Sequence, residues 1–172
     1  GNPLDMAILG RGFFQIQQAD GSTAYSRDGN FQIDADGQVV TSQGQLLQPS
    51  ITIPGDAQSL TIGQVGVVTV LAGNSTSPTQ VGNIQLADFV NPTGLQPLGN
   101  NLFAETASSG SPTTGTPGLT GLGNLESGAV ETSNVNVVEE LVNMIETQRA
   151  YEMNSKVIST TDQMLQYVGN NL

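Results

Sequence analysis

Two aspartates two residues apart, Asp34 and Asp36, followed by Gly37, are the part of this chain closest in type and spacing to a chemical site. A carboxylate pair is also the one acid–base set open to it. The chain has no histidine and no cysteine, so the common nucleophile-plus-base arrangements cannot be built. Asp34-Ala35-Asp36-Gly37 matches the start of a calcium-binding loop, but the third acidic ligand and the distal glutamate of that motif are missing. Both aspartates therefore read as turn formers open to water. Gly10-Arg11-Gly12 and the glycines between Gly118 and Gly123 are rich enough in glycine to suggest a phosphate cradle. The first leads into a β segment instead of a helix, and neither continues into Gly-Lys-Ser/Thr, so they read as bends. Phe13, Phe14, Tyr25, Phe31, Phe89 and Phe103 fall among predicted strands, where core packing explains them better than a stacking platform. The expectation is a chain without catalytic residues, metal ligands or cofactor.

Charge narrows the classes further. Fifteen acidic residues face four basic ones, Arg11, Arg27, Arg149 and Lys156, for a formal charge of -11. Nucleic acid and anionic lipid both require clustered Lys and Arg, so neither is an expected partner. With 37% apolar and 11% charged residues, too few charges are present to hold the chain open as a disordered one. Absence of cysteine fits a reducing compartment or an exported protein that never relied on cross-links. No apolar run approaches the roughly 18 residues that span a bilayer, and no secretory signal pattern is present, so direct membrane insertion is not expected. The chain opens at Gly1 in the middle of a strand approach, and a preceding N-terminal segment is expected.

The elements that must position these residues are mostly short strands. Two apolar bursts split by Gly10 and Gly12 predict a strand, a tight bend and a strand through Phe13 to Ile16. Ala24 to Arg27, Asn30 to Ile33 and Gln38 to Thr41 follow, punctuated by Asp28-Gly29 and Asp36-Gly37, dipeptides suited to turns with positive φ. Gln45 to Gln48, Ile51 to Ile53, Leu60 to Ile62, Val67 to Leu71 and Gly82 to Val90 continue the meander. Residues 1–105 are thus expected to form an antiparallel β domain. Residues 106–131, rich in Ser, Thr, Gly and Pro, read as a linker or extended arm.

Residues 132–172 are dominated by one run without proline or internal glycine from Thr132 to Gly169, which predicts a helix of roughly nine turns. Asn136 is its expected N-cap, with Glu139 placed as in a capping box. Val137, Leu141, Met144, Tyr151, Ile158 and Leu165 recur at three-, four- and seven-residue steps and form a stripe, which Ala150, Val157 and Met164 are expected to widen. Gln148, Ser155 and Asp162 fall in the same seam, where polar residues lower stability but fix register and partner. Glu146, Arg149, Glu152, Lys156, Gln163 and Gln166 are assigned to the other side, with Glu152 and Lys156 spaced for an ion pair. Such a stripe either packs on its own domain's core or needs another chain or a further part of this one. The scarcity of any second helix before it favours the latter. The fold class read from all this is α+β: an antiparallel β-rich domain, a flexible arm and one long C-terminal helix that forms a coiled coil in an assembly.

Three segments carry a family resemblance. GNPLDMAILGRGFFQIQ, AYSRDGNFQIDADGQVVTSQGQLLQPSITIP and ETSNVNVVEELVNMIETQRAYEMNSKVISTTDQMLQ closely resemble the axial proteins of the bacterial flagellum, most specifically in the segment from Ser133 to Lys156. The resemblance covers nearly the whole chain and is weakest between Ala72 and Gly128. It implies a tube-forming structural subunit that carries torque from the motor toward the hook and encloses the export channel. In that family an N-terminal helix pairs with the C-terminal one in the inner layer of the tube, and the β domain forms the outer layer. By position, Ser133, Asn134 and Asn136 belong to the turn and cap entering the helix, and Gln148, Arg149, Ala150, Tyr151 and Asn154 to its shared signature. The implied place is the distal rod, because the larger inserted domains usual in hook proteins are absent here. A proximal rod or hook-type protein is the alternative, and a cell-wall glycan-binding β module or a carboxylate-based glycan-cleaving enzyme are the readings from other classes. Implied partners are identical subunits, proximal rod proteins, the hook protein, the rod-capping protein and the basal-body ring proteins, after export by the flagellar type III apparatus.

Overall fold

A computed structural model describes residues 2–73, 75, 77–131 and 137–170, with helix side chains described from Leu141 to Tyr167. The chain divides into two compact units, Gly1–Glu131 and Thr132–Leu172. The first is built from short strands. In chain order these are β1 (Met6–Leu9), β2 (Phe13–Gln17), β3 (Thr23–Ser26), β4 (Phe31–Ile33), β5 (Val39–Thr41), β6 (Leu46–Gln48) and β7 (Ala57–Ile62). They continue as β8 (Val67–Ala72), β9 (Thr79–Asn83), β10 (Leu86–Asp88), β11 (Gln96–Gly99), β12 (Leu102–Ala104), β13 (Thr113–Gly115) and β14 (Asn124–Ser127). The second unit is the helix α1 (Val137–Asn170). The α+β reading holds.

Every strand pair among the described residues is antiparallel. The largest sheet runs β11-β12-β3-β2-β6-β5-β4, with β10 joining β2 and carrying β13 on its far side. A three-stranded sheet, β7-β8-β9, and the two-stranded pair β1-β14 complete the unit. Their inner faces share a core that includes Met6, Phe14, Ile16, Phe31, Leu47, Val68, Ile84, Leu86 and Leu125. A second cluster gathers Phe13, Tyr25, Phe89 and Leu95, with Phe103 against it, and Tyr25 meets Phe89 edge-on at 4.8 Å between ring centroids. All six aromatics singled out in the sequence are packed inside the β unit, as expected.

Three expectations need correction. Residues 106–131 are not a linker: β13 pairs with β10, β14 pairs with β1, and Leu122 and Leu125 are buried. Leu122 and Leu125 join the core while Leu119 and Val130 stay exposed, and the backbones of β13 and β14 pair with strands far away in sequence. Composition reports neither fact. The single strand expected from Gly82 to Val90 is two, because the chain leaves one sheet after Asn83 and enters another at Leu86. Ile84 marks the crossing, buried and donating its N–H to the Gly66 carbonyl at 2.7 Å. Gly29 does not have the positive φ expected of a hairpin turn, whereas Gly37 does, at 80°. Glycine is required at 29 for close approach instead: a Cβ built there would lie 1.6 Å from the Met6 carbonyl oxygen.

Two outcomes are expected. Leu125 is 2% exposed, so Leu125→Ala should lower unfolding stability by about 2–5 kcal/mol in urea melts. A linker residue at that position would shift it by less than about 0.5 kcal/mol. Burial also raises the Tyr25 phenol above its ordinary value of 10.0, with the Glu105 carboxylate adding to the effect. The folded state then keeps a proton that the unfolded chain has already lost. The stability tied to Tyr25 is therefore complete below about pH 10 and falls as pH rises through the folded value. Tyr25→Phe should remove that part of the alkaline decline, as read from melts at about pH 9 and about pH 11.

Candidate assembly surface

Freedom from proline and from glycine before Gly169 lets α1 run for 34 residues, about 51 Å at 1.5 Å per residue. Thr147, Thr160 and Thr161, poor helix formers by intrinsic preference, each return their hydroxyl to the carbonyl four residues back, at 2.8, 2.8 and 2.9 Å. The helix ends at Asn170, one residue beyond the expected Gly169.

From Leu141 to Tyr167 every side chain is exposed. Within the expected stripe, exposure runs from 51% for Leu141 to 78% for Tyr151, with Met144, Ile158 and Leu165 between. Leu141, Met144, Gln148, Tyr151, Ser155, Ile158, Asp162 and Leu165 advance by alternating three and four residues. This is a heptad seam that stays in line only if the helix takes up a left-handed supercoil. Arg149 and Asn154 are exposed but lie off that line, on opposite flanks at about 100° per residue. Val137 falls within the helix, its side chain outside the described atoms, and Ser133, Asn134 and Asn136 lie outside the described residues. Ala150, Val157 and Met164 each precede a stripe member, Tyr151, Ile158 and Leu165, by one residue and lie about 100° round the helix from it, on the flank of the stripe. Among the described residues no ion pair joins Glu152 to Lys156; the pairs are Arg11 to Asp88 and Arg27 to Glu131.

The β unit offers turns and clefts. Asp34 accepts the backbone N–H groups of Asp36 and Gln38 at 2.9 and 2.8 Å, so its carboxylate is used in closing the turn. The same turn borders a cleft of about 520 Å³ against Ile53, Pro54 and Leu60, whose walls are largely apolar. No set of three or more acidic side chains converges there as a metal would need, among the described residues.

Arg27 was missed in the sequence. Its guanidinium donates to the carbonyls of Ile8, Gly10 and Gly12 at 3.2, 3.0 and 3.2 Å, and its Nε to the Glu131 carboxylate at 2.9 Å. It also lies 5.9 Å over the Phe13 ring. One side chain thus joins the bend between β1 and β2 to the last residue of the β unit. The available signal was rarity, since a planar five-donor group among only four cations is seldom idle.

Residues 7–70 match the model of the flagellar hook protein FlgE/F/G D1 domain, and residues 126–172 that of the flagellar basal body rod FlgEFG protein C-terminal region. The chain is 56% identical over 162 residues to the flagellar basal-body rod protein FlgG of Buchnera aphidicola subsp. Acyrthosiphon pisum, covering 94% of this chain and 62% of that protein. It is 50% identical over 172 residues to the FlgG of Agrobacterium fabrum, covering 100% and 66% respectively. A flagellar hook protein FlgE from Borreliella burgdorferi is 41% identical over 112 residues, covering 65% of this chain and 25% of that protein. Against these basal-body rod relatives the chain spans a little under two thirds of their length. Both matched regions are parts of axial proteins of the bacterial flagellum. The chain belongs to the family of flagellar hook and basal-body rod proteins.

Removing the Arg27 hub strips four acceptors of their donor. Arg27→Ala should destabilise the β unit by about 1–3 kcal/mol in urea melts, most of it from the carbonyls, because the exposed pair with Glu131 is weak alone. Arg27→Lys should recover little of that loss, since one ammonium cannot reach acceptors spread around a guanidinium.

Proposed function

We propose that this chain acts as a structural subunit of the flagellar distal rod. Copies polymerise through their helices, packed as coiled coils, into a tube that carries torque from the motor to the hook and encloses the export channel. The subunit reaches the basal body through the flagellar type III apparatus and works without catalysis or cofactor. Its neighbours are identical subunits, proximal rod proteins, the hook protein, the rod-capping protein and the ring proteins around the shaft.

One observation carries this reading: an unbroken run of exposed side chains from Leu141 to Tyr167, with apolar members at heptad spacing. Exposing a Leu or Ile that a partner would cover forgoes about 1.5–3 kcal/mol each, so a helix of this kind is suited to association. Names of relatives add the place. Relatives called basal-body rod proteins match 94% to 100% of the chain, whereas the hook relative matches 65%, which favours rod over hook.

Sedimentation velocity over a concentration series tests it. The unaltered chain should associate progressively, and Leu141→Asp with Ile158→Asp should raise the concentration for half-association by more than about tenfold. Unaltered behaviour of that double variant would remove the seam from the reading. Clearing of peptidoglycan in a zymogram by the purified chain would favour a glycan-cleaving enzyme instead.

A further inference from the structure

We propose that Asp36-Gly37 is a site of aspartate isomerisation, at which the main chain is rerouted through the Asp36 side chain. The site stands independently of assembly.

Three Asp-Gly pairs occur in the chain: Asp20-Gly21, Asp28-Gly29 and Asp36-Gly37. Glycine after aspartate presents an amide nitrogen with no side chain to hinder its approach to the neighbouring carboxyl carbon. That nitrogen bonds to Cγ, and its proton and the carboxyl hydroxyl leave together as water. A five-membered ring results. Water then adds to the main-chain carbonyl of the ring and breaks its bond to the nitrogen, which leaves the peptide linked through Cγ. One water departs, one returns, and nothing is oxidised or reduced. The carboxyl group must be protonated and free to turn onto the nitrogen.

Two of the pairs sit in the same turn geometry, which isolates the cause. In residues 18–22, Gln18 donates its N–H to the Ser22 carbonyl at 2.8 Å and Gly21 to the Gln18 carbonyl at 3.0 Å. In residues 34–38, Asp34 donates to the Gln38 carbonyl at 3.0 Å and Gly37 to the Asp34 carbonyl at 3.1 Å. Gly21 has a φ of 85° and Gly37 one of 80°. The two nitrogens are therefore held alike, and the carboxylates differ. Asp20 accepts the Ser22 hydroxyl at 2.6 Å and the Ser22 N–H at 2.9 Å. Those bonds, the hydroxyl first, hold its carboxyl below the ordinary value of 3.8, so less of the reactive protonated form is present. In the second turn Asp34 has the capping role, accepting the N–H groups of Asp36 and Gln38. Asp36 is left exposed, and its carboxylate accepts no hydrogen bond among the described residues.

Asp28-Gly29 is closed off in another way. Asp28 accepts the Asn30 N–H at 3.1 Å and the Asn101 Nδ2 at 3.3 Å, and Gly29 is buried against the Met6 carbonyl. Isomerisation at Asp36 adds one atom to the main chain of a tight turn. Gly37 accepts the Ile53 N–H at 2.7 Å, and a Cβ built on it would overlap the Ile53 carbonyl oxygen. The product thus loosens the turn between β4 and β5 together with its contact to Ile53.

Peptide mapping of the full 172-residue chain by electron-transfer mass spectrometry tests the site, after prolonged warming in buffer and, separately, in urea. In the folded chain isoaspartate should form at Asp36 about tenfold faster than at Asp20 or Asp28, the equivalent of one hydrogen bond to a charged group. Ser22→Ala removes the hydroxyl bond and should raise formation at Asp20 by about threefold or more, with Asp36 unchanged. In urea the turns are lost and the three rates should converge. Equal or faster formation at Asp20 or Asp28 in the folded chain, or none at Asp36, overturns the assignment. So does the same ranking in urea, or an Asp20 rate that Ser22→Ala leaves unmoved.

Discussion

The long helix leaves its apolar side chains exposed, and that is the constraint to which the proposed assembly responds. An isolated helix is marginal in water, since its hydrogen bonds replace bonds to solvent and its nucleation is costly. Leu141, Met144, Tyr151, Ile158 and Leu165 are all more than half exposed, so their contribution to stability is largely unrealised in a single chain. In the proposed assembly, association realises it, and the same side chains then hold the helix and join the copies. Gln148, Ser155 and Asp162 weaken such a seam, but polar groups at seam positions penalise every register that leaves them unpaired.

The β unit solves a different problem, that of a small domain made from very short strands. Several of its strands have three residues, too few to be stable as hairpins. Stability comes instead from tying the end of the unit back to its beginning. β14 pairs with β1 across more than a hundred residues, Gly128 donates its N–H to the Asp5 carbonyl at 2.7 Å, and Arg27 reaches both the β1 to β2 bend and Glu131. Such long-range closure restricts the point where the chain leaves the β unit.

Local signals were legible in the sequence and non-local ones were not. The β4 to β5 hairpin is legible in Asp36-Gly37, whose glycine has the positive φ that the dipeptide suggests, but the expected meander is broken where β3 and β4 do not pair and β6 returns beside β2. The helix declared itself by what it lacked. By contrast, residues 106–131 look like an arm because Ser, Thr, Gly and Pro dominate them, although β13 and β14 need no side-chain pattern of their own. Each adds to a strand already formed, and backbone pairing carries the contact. Gly29 shows the same limit. Its sequence neighbour suggested a turn, while the constraint comes from the Met6 backbone folded against it. Arg27 escaped notice because its acceptors are main-chain carbonyls, which no residue letter records.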